Sequence, residues 1–71
     1  MNAFDPTLDL AELRYGDAEF RVVRPGRYVL CAVSGVKIPL EALRYWNPTL
    51  QEAYAGPKEA LQRFRELEQG E

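Results

Sequence analysis

Apolar and charged residues alternate along the first third of the chain, as expected for β-strands with one buried face. Four apolar residues alternate with charged ones on either side of the pair Gly16-Asp17, namely Leu13, Tyr15, Phe20 and Val22. Gly-Asp is also a favourable composition for a tight turn. The pattern therefore predicts a β-hairpin that turns at Gly16-Asp17.

Two further turn signals lie on either side of an apolar run. Pro25-Gly26 predicts a type II turn, because proline presets φ and glycine accepts the positive φ that this turn needs. Residues 28–33 are apolar without alternation, which predicts a central strand covered on both faces. Ser34-Gly35 then turns the chain, and residues 36–38 begin a returning strand that Pro39 ends.

The pattern after Pro39 is mixed. Residues 40–46 fit either a helical turn or a short strand, and we expect a turn followed by extended residues 44–46. Asn47 and Pro48 are residue types that favour the N-cap and the first position of a helix. They predict a helix over residues 49–54.

A second helix is predicted near the end of the chain. Gly56-Pro57 provides its start, and Gly70 provides its stop. One side of this helix carries an apolar stripe formed by Ala60, Leu61, Phe64 and Leu67. Such a stripe is typical of a helix that packs against a core.

The order of these elements, strands first and helices last, predicts an α+β domain. We expect a small antiparallel sheet, built from hairpins in residues 11–38, with the C-terminal helices packed on one face. Residues 1–9 are expected to form a loose lead-in, and residues 10–71 a single compact domain. Because the helices cover only one face, the two-sided run at residues 28–33 needs a second cover. A second copy of the chain would supply it, by sheet packing or by exchange of an element, so we expect a homodimer.

The composition excludes several classes of enzyme. The chain has 71 residues with no His and one Cys, so it lacks a catalytic triad, a His-based acid or base, and an ordinary zinc site. We therefore expect a protein that is not an enzyme and that holds no cofactor or metal.

Cysteine content and hydropathy bear on the compartment. A lone Cys31 cannot form an internal disulfide, and small secreted domains usually need such bonds. No apolar run approaches the roughly 18 residues of a membrane span, and residues 1–6 lack the basic and apolar regions of a signal peptide. We expect a cytoplasmic protein without a membrane partner.

Basic residues concentrate in the middle of the chain. The net charge is −2, but residues 13–46 carry six basic and three acidic residues. This excess could mark an anion-binding face, for which the candidates are Arg14, Arg21, Arg24 and Arg27. The acidic ends of the chain could equally neutralise the basic middle in the folded protein.

Arg44, Tyr45 and Trp46 form the candidate partner-binding segment. Trp, Tyr and Arg are the residue types that dominate binding hot spots. Basic residues next to aromatic ones also suit single-stranded RNA, because guanidinium groups neutralise phosphates and aromatic rings stack on bases. The alternative is that each aromatic residue faces the core while its arginine neighbour faces water, as strand alternation requires.

The segment from Cys31 to Gly35 is similar to a zinc knuckle whose second sulfur has been replaced by Ser34. No further Cys or His could complete a metal site. The segment could form a knuckle-shaped hairpin without metal or an unrelated hairpin. We expect Cys31 to be a core residue, and its apolar neighbours should raise the pKa of its thiol.

Several short motifs together resemble a known family. They are Phe20-Arg21-Val22-Val23, Pro25-Gly26, Cys31-Ala-Val-Ser-Gly35, Ile38-Pro39-Leu40, Leu43-Arg44-Tyr45-Trp46 and Gln51-Glu52-Ala53-Tyr54. The chain resembles, over roughly residues 13–62, small uncharacterised bacterial proteins, mainly alphaproteobacterial, that are grouped as a domain of unknown function. The resemblance implies a short cytoplasmic bacterial protein, and it carries over no activity, cofactor or catalytic residue.

These observations favour a non-enzymatic protein-interaction module that forms a homodimer and binds an unknown protein partner through residues 44–46. The alternative is an RNA- or phosphate-binding protein that uses a basic sheet face. Tertiary placement of the arginines and of Trp46 discriminates between the two.

Overall fold

The computed structural model describes residues 9–69, which form six short strands followed by one helix. The elements are β1 (Glu12–Tyr15), β2 (Phe20–Arg24), β3 (Tyr28–Leu30), β4 (Lys37–Pro39), β5 (Tyr45–Asn47), β6 (Glu52–Tyr54) and α1 (Pro57–Gln69). A 3-10 helix, Leu40–Ala42, joins β4 to β5. The α+β class is confirmed. Most of the predicted lead-in, residues 1–8, and the predicted helix stop at Gly70 lie outside the described residues.

The strands pair as three separate antiparallel hairpins, β1-β2, β3-β4 and β5-β6, rather than as one sheet. Isolated bridges connect them: Leu10 pairs with Tyr28, and Cys31 pairs with Ala53. The hairpins therefore meet through single bridges and side chains instead of a continuous ladder.

The first predicted hairpin is confirmed. In β1-β2, Leu13 lies opposite Val22 and Tyr15 lies opposite Phe20, with a bulge between Glu12 and Leu13. The backbone N–H of Gly16 closes the turn by donating to the carbonyl oxygen of Glu19 at 2.7 Å.

The predicted type II turn at Pro25-Gly26 is wrong. Among the described glycines, only Gly35 has a positive φ, at 79°. Gly26 serves a different purpose, because a Cβ there would lie 2.4 Å from the backbone nitrogen of Ala11. The chain before β1 passes so close to Gly26 that no side chain fits.

The strand predicted over residues 28–33 is shorter than expected and is buried on one face only. β3 ends at Leu30, and residues 32–34 form a turn. Val29 and Cys31 are buried, while Leu30 between them is 46% exposed. Residues 28–33 therefore have no second buried face that a second copy of the chain would need to cover.

The predicted turn and extended segment at residues 40–46 are confirmed, but the helix predicted over residues 49–54 is wrong. The Asn47 side chain does cap a turn, accepting the backbone N–H groups of Thr49 at 2.9 Å and Leu50 at 3.0 Å. The turn then closes when the N–H of Gln51 donates to the carbonyl of Asn47 at 2.7 Å.

Gln51 explains why that turn does not continue as a helix. Its φ is 56°, which directs the chain back as β6. Its side-chain oxygen accepts the N–H of Tyr15 at 2.9 Å, and its side-chain nitrogen donates to the carbonyl of Tyr15 at 2.8 Å. These bonds hold the turn against β1, whereas a helix of six residues would be marginal on its own.

The core lies where the three hairpins meet. It contains Ala11, Tyr15, Val29, Cys31, Ile38, Leu43 and Ala53. Partly buried apolar residues surround it, among them Phe20 and Trp46. A core of this size is expected for a chain of this length, because small domains bury a small fraction of their surface.

Helix α1 confirms the predicted C-terminal helix and contacts β5 and β6. It is the single α-helix of the described residues, and its apolar stripe is not packed as expected. Leu61, Phe64 and Leu67 are 49%, 58% and 51% exposed. The half-buried residues of the helix are Glu59, Ala60 and Arg63. The helix therefore meets the hairpins beside Ala60, along one edge of the stripe.

Candidate functional site

Trp46 lies at the junction of the first and third hairpins. Its ring stacks on Tyr15 with centroids 6.0 Å apart and an interplanar angle of 25°. It also meets Phe20 edge to face at 5.5 Å. The indole N–H donates to the carbonyl oxygen of Gly16 at 2.7 Å. The indole ring and its N–H group thus contact other parts of the chain. These contacts join β5 to the first hairpin and its turn.

The structure does not bring Arg44, Tyr45 and Trp46 to one surface. Trp46 pairs with Ala53 and faces the core, while Tyr45 pairs with Tyr54 on the opposite face of the hairpin. Tyr45 is 40% exposed. Partner binding at these residues stays a prediction, and the exposed side chains that could serve it are Arg44 and Tyr45.

The four candidate anion-binding arginines fall into two groups. Arg24 and Arg27 lie near carboxylates, with Arg24 3.9 Å from Glu12 and Arg27 3.8 Å from Asp9. Arg14 and Arg21 lie directly opposite each other across β1-β2. They make no salt bridge with any of residues 9–69. Of the four candidate arginines, only Arg14 and Arg21 therefore lie side by side without an acidic partner among residues 9–69.

Cys31 forms the knuckle-shaped hairpin that the sequence allowed. Its sulfur accepts the backbone N–H groups of Val33 and Ser34, both at 3.4 Å. The N–H of Gly35 donates to the Cys31 carbonyl at 2.9 Å, and the N–H of Cys31 donates to the Val36 carbonyl at the same distance. Within residues 9–69 no group of three or more His, Cys, Asp or Glu side chains could hold a metal ion.

The pKa of the Cys31 thiol is lowered, contrary to the sequence expectation. Desolvation by burial raises this pKa, but hydrogen bonds from the Ser34 hydroxyl and from the backbone N–H groups of Ser34, Ala55 and Val33 lower it by more in total. The apolar neighbours were visible in the sequence, whereas the convergence of N–H groups from two loops was not.

A polar cluster anchors α1 to the third hairpin. Arg63 donates to both carboxylate oxygens of Glu52, through Nε at 3.0 Å and Nη2 at 2.9 Å. The Tyr54 hydroxyl donates to the same carboxylate at 2.9 Å. Burial and the neighbouring Glu52 raise the pKa of Tyr54, and Glu52 also raises the pKa of Arg63. Planar two-point contact of this kind fixes the orientation of the helix.

Anchoring through Arg63 turns the apolar stripe of α1 toward solvent. At 100° per residue, Phe64 lies about 100° from Arg63 around the helix axis. Leu61 and Leu67 lie about 60° to either side of Phe64. We call Leu61, Phe64 and Leu67 the α1 stripe. The sequence showed the stripe but not its exposure, because amphipathic periodicity does not state what covers the apolar side.

Comparison with known proteins gives one match. Residues 22–63 match a family described as "Uncharacterized protein conserved in bacteria (DUF2093)". The chain belongs to this family. The matched segment runs from β2 into α1 and contains the knuckle, the third hairpin and Arg63. No curated protein and no solved structure matches the chain.

The family match confirms the resemblance found in the sequence. It assigns the chain to a bacterial family that is described as uncharacterised. The described residues also include no helix long and apolar enough to cross a membrane.

Proposed function

We propose that the protein is a non-enzymatic interaction module that forms a homodimer by packing the α1 stripe of one copy against the α1 stripe of another. The observation that carries this proposal is the half-exposure of Leu61, Phe64 and Leu67 on one side of one helix. Three large apolar side chains in a row are typical of a surface that associates, because isolated exposed apolar residues are usual but contiguous ones are not.

The size of the stripe supports a weak dimer. Burying the exposed half of a Leu or Phe side chain stabilises by about 1 kcal/mol. Six such side chains, three from each copy, would contribute about 6 kcal/mol before the cost of association. We therefore expect a reversible dimer rather than an obligate one.

The pair of charges Lys58 and Glu68 favours antiparallel packing. From Phe64, Lys58 lies about 9 Å toward the helix start and Glu68 about 6 Å toward its end, at a rise of 1.5 Å per residue. Around the helix both positions lie on the Leu61 side of Phe64, Glu68 at about 40° and Lys58 at about 120° from it at 100° per residue. If two helices pack antiparallel about Phe64, Lys58 of one copy comes alongside Glu68 of the other. In parallel two-fold packing the charges of the two copies lie on opposite edges of the interface, so Lys58 and Glu68 do not meet.

The location of the proposed surface differs from the sequence prediction, which centred on Trp46. The internal contacts of Trp46 and the exposure of the α1 stripe support the change. A cytoplasmic location remains part of the proposal, because a buried free cysteine suits a reducing compartment.

Analytical ultracentrifugation of the full chain over a range of concentrations tests the proposal. We expect a monomer–dimer equilibrium that Phe64→Gln abolishes. Lys58→Glu and Glu68→Lys should each weaken the dimer, and the double variant should restore it because the charge pair is exchanged. Glu41→Lys reverses an exposed charge outside α1 and serves as the matched control.

Three results would contradict the proposal. The first is a monomer at every concentration up to about 1 mM, where even weak association would be visible. The second is a dimer that survives Phe64→Gln with its dissociation constant unchanged. The third is a pair of charge reversals that behave like the Glu41→Lys control, which would exclude the antiparallel arrangement. Circular dichroism of each variant checks that α1 remains folded.

A further inference from the structure

The outer face of the first hairpin carries two arginines in an unfavourable arrangement. Arg14 and Arg21 are register partners in β1-β2, and both are exposed. Side chains directly opposite in an antiparallel pair have Cβ atoms about 4.5–5.5 Å apart. Like charges at that separation destabilise a hairpin. No contact within the described residues offsets this destabilisation. A bound anion would offset it.

Neither of the two carboxylates on this face, those of Glu12 and Glu19, forms a salt bridge with the arginine pair. Glu12 lies opposite Arg24 at the next position on the same face and contacts that arginine. Glu19 alternates with Phe20 onto the same face as Arg21, but its carboxylate lies over the turn, 3.2 Å from where a Cβ on Gly16 would stand. Arg14 and Arg21 thus form no salt bridge in the described part of the chain.

The opposite face of the same hairpin holds the two arginines in place. Tyr15 and Phe20 point inward and pack on Trp46. The arginine side chains therefore project from a supported strand pair rather than from a mobile loop. Binding groups on regular elements are positioned better than those on loops.

We propose that Arg14 and Arg21 together bind a phosphate group. Two guanidinium groups can each offer a pair of N–H donors to the oxygens of one tetrahedral anion, and the anion removes their mutual repulsion. The outward positions of the hairpin carry no aromatic residue, so we expect recognition of the phosphate itself rather than of a base. The proposal does not depend on the dimer.

Nuclear magnetic resonance of the arginine Nε–Hε groups tests the site, using inorganic phosphate with chloride at matched ionic strength. We expect the Arg14 and Arg21 signals to shift together and to saturate with one dissociation constant. Arg14→Gln and Arg21→Gln should each weaken binding about tenfold, which corresponds to about 1.4 kcal/mol. Arg24→Gln, on the same face, should change it less than about twofold, because Arg24 already lies beside Glu12.

The free protein provides a second readout. If the two arginines repel each other, Arg21→Gln should raise the Tm by about 1–4 °C in phosphate-free buffer. Added phosphate should raise the Tm of the natural chain but not that of the variant. A purely structural role for Arg21 would give the reverse in the free protein, since removal of a favourable side chain lowers the Tm.

A phosphodiester dinucleotide separates the two sources of the phosphate group. Equal or tighter binding of the dinucleotide identifies a nucleic-acid backbone, and preference for inorganic phosphate identifies a phosphomonoester or free phosphate. Shifts that chloride reproduces, or that Arg24→Gln reduces as strongly as Arg21→Gln does, would overturn the site. Repeating the titration on Phe64→Gln, the expected monomer, keeps this result independent of the proposed homodimer.

Discussion

At the residue scale, Cys31 shows burial and hydrogen bonding acting in opposite directions. Its side chain is buried at 3% exposure, which alone would favour the neutral thiol. The N–H groups of Val33 and Ser34 converge on the sulfur and favour the thiolate. The sulfur is thus the acceptor that satisfies backbone donors in the turn, a role that a metal-bound thiolate fills in a zinc knuckle.

Removal of this sulfur should therefore destabilise the protein in a pH-dependent way. Cys31→Ala leaves two partly buried N–H groups without their acceptor and should cost about 1 kcal/mol. Because the pKa of Cys31 is lowered on folding, the folded thiol ionises first, and its contribution to stability grows as pH rises toward the unfolded thiol pKa of about 8.5. Urea denaturation should show the cost of Cys31→Ala increasing between about pH 7 and pH 9.

The tyrosines give this experiment an internal check. Burial raises the pKa of both Tyr15 and Tyr54, so their contribution is present below pH about 10 and is lost as pH rises beyond it. That loss affects both proteins equally and cancels in the difference. A cost of Cys31→Ala that stays constant from about pH 7 to pH 9 would show that folding leaves the pKa of Cys31 unchanged.

At the element scale, the third hairpin connects the parts of the fold. Its inner face presents Trp46 to the first hairpin and Ala53 to Cys31 of the second. Its outer face holds α1 through Glu52. Three separate two-stranded hairpins would each be unstable alone in water, so their mutual contacts carry the stability of the domain.

Truncation of Trp46 should therefore affect all elements together. Trp46→Ala removes both ring contacts and should cost about 3–5 kcal/mol. Trp46→Phe keeps an aromatic ring but loses the bond to the Gly16 carbonyl and should cost about 1–2 kcal/mol. Thermal unfolding by circular dichroism measures both, with Tyr45→Phe as the control on the opposite face of β5. Equal costs for Trp46→Ala and Tyr45→Phe would contradict this account of the junction.

At the scale of the whole molecule, the shape follows from how α1 is attached. The described residues span 45 × 23 × 21 Å, and the radius of gyration is 13.0 Å. A compact domain of this length would have a radius of gyration of about 11 Å. This part of the chain is elongated because α1 follows the third hairpin and does not lie across a common sheet. That placement leaves the α1 stripe uncovered.

A dimer formed through α1 should make stability depend on protein concentration. Association of folded copies shifts the unfolding equilibrium by mass action. Above the dissociation constant, a tenfold rise in concentration should raise the Tm by about 3–5 °C. Differential scanning calorimetry of the natural chain and of Phe64→Gln checks this. A concentration-independent Tm in the natural chain, matching that of the variant, would argue for a folded monomer.

Features that depend on neighbouring residues were predictable from the chain. The hairpin at Gly16, the extended residues 44–46 and the start of α1 at Pro57 were anticipated because turn chemistry and capping act within a few positions. The same local chemistry misled at Asn47, where the cap formed but the helix did not. A cap signals one turn of helix, and whether that turn continues depends on distant partners.

The distant partners lie on other elements. How those elements are arranged relative to one another could not be predicted from local sequence patterns. Gln51 turned the segment after Asn47 back because it bonds to Tyr15, 36 positions away. Arg63 oriented α1 by binding Glu52, and strand register brought Arg14 and Arg21 face to face. Alternation and periodicity specify which residues share a face of an element. Register and docking specify what each face meets, and they arise when separate elements compete to bury their surfaces together.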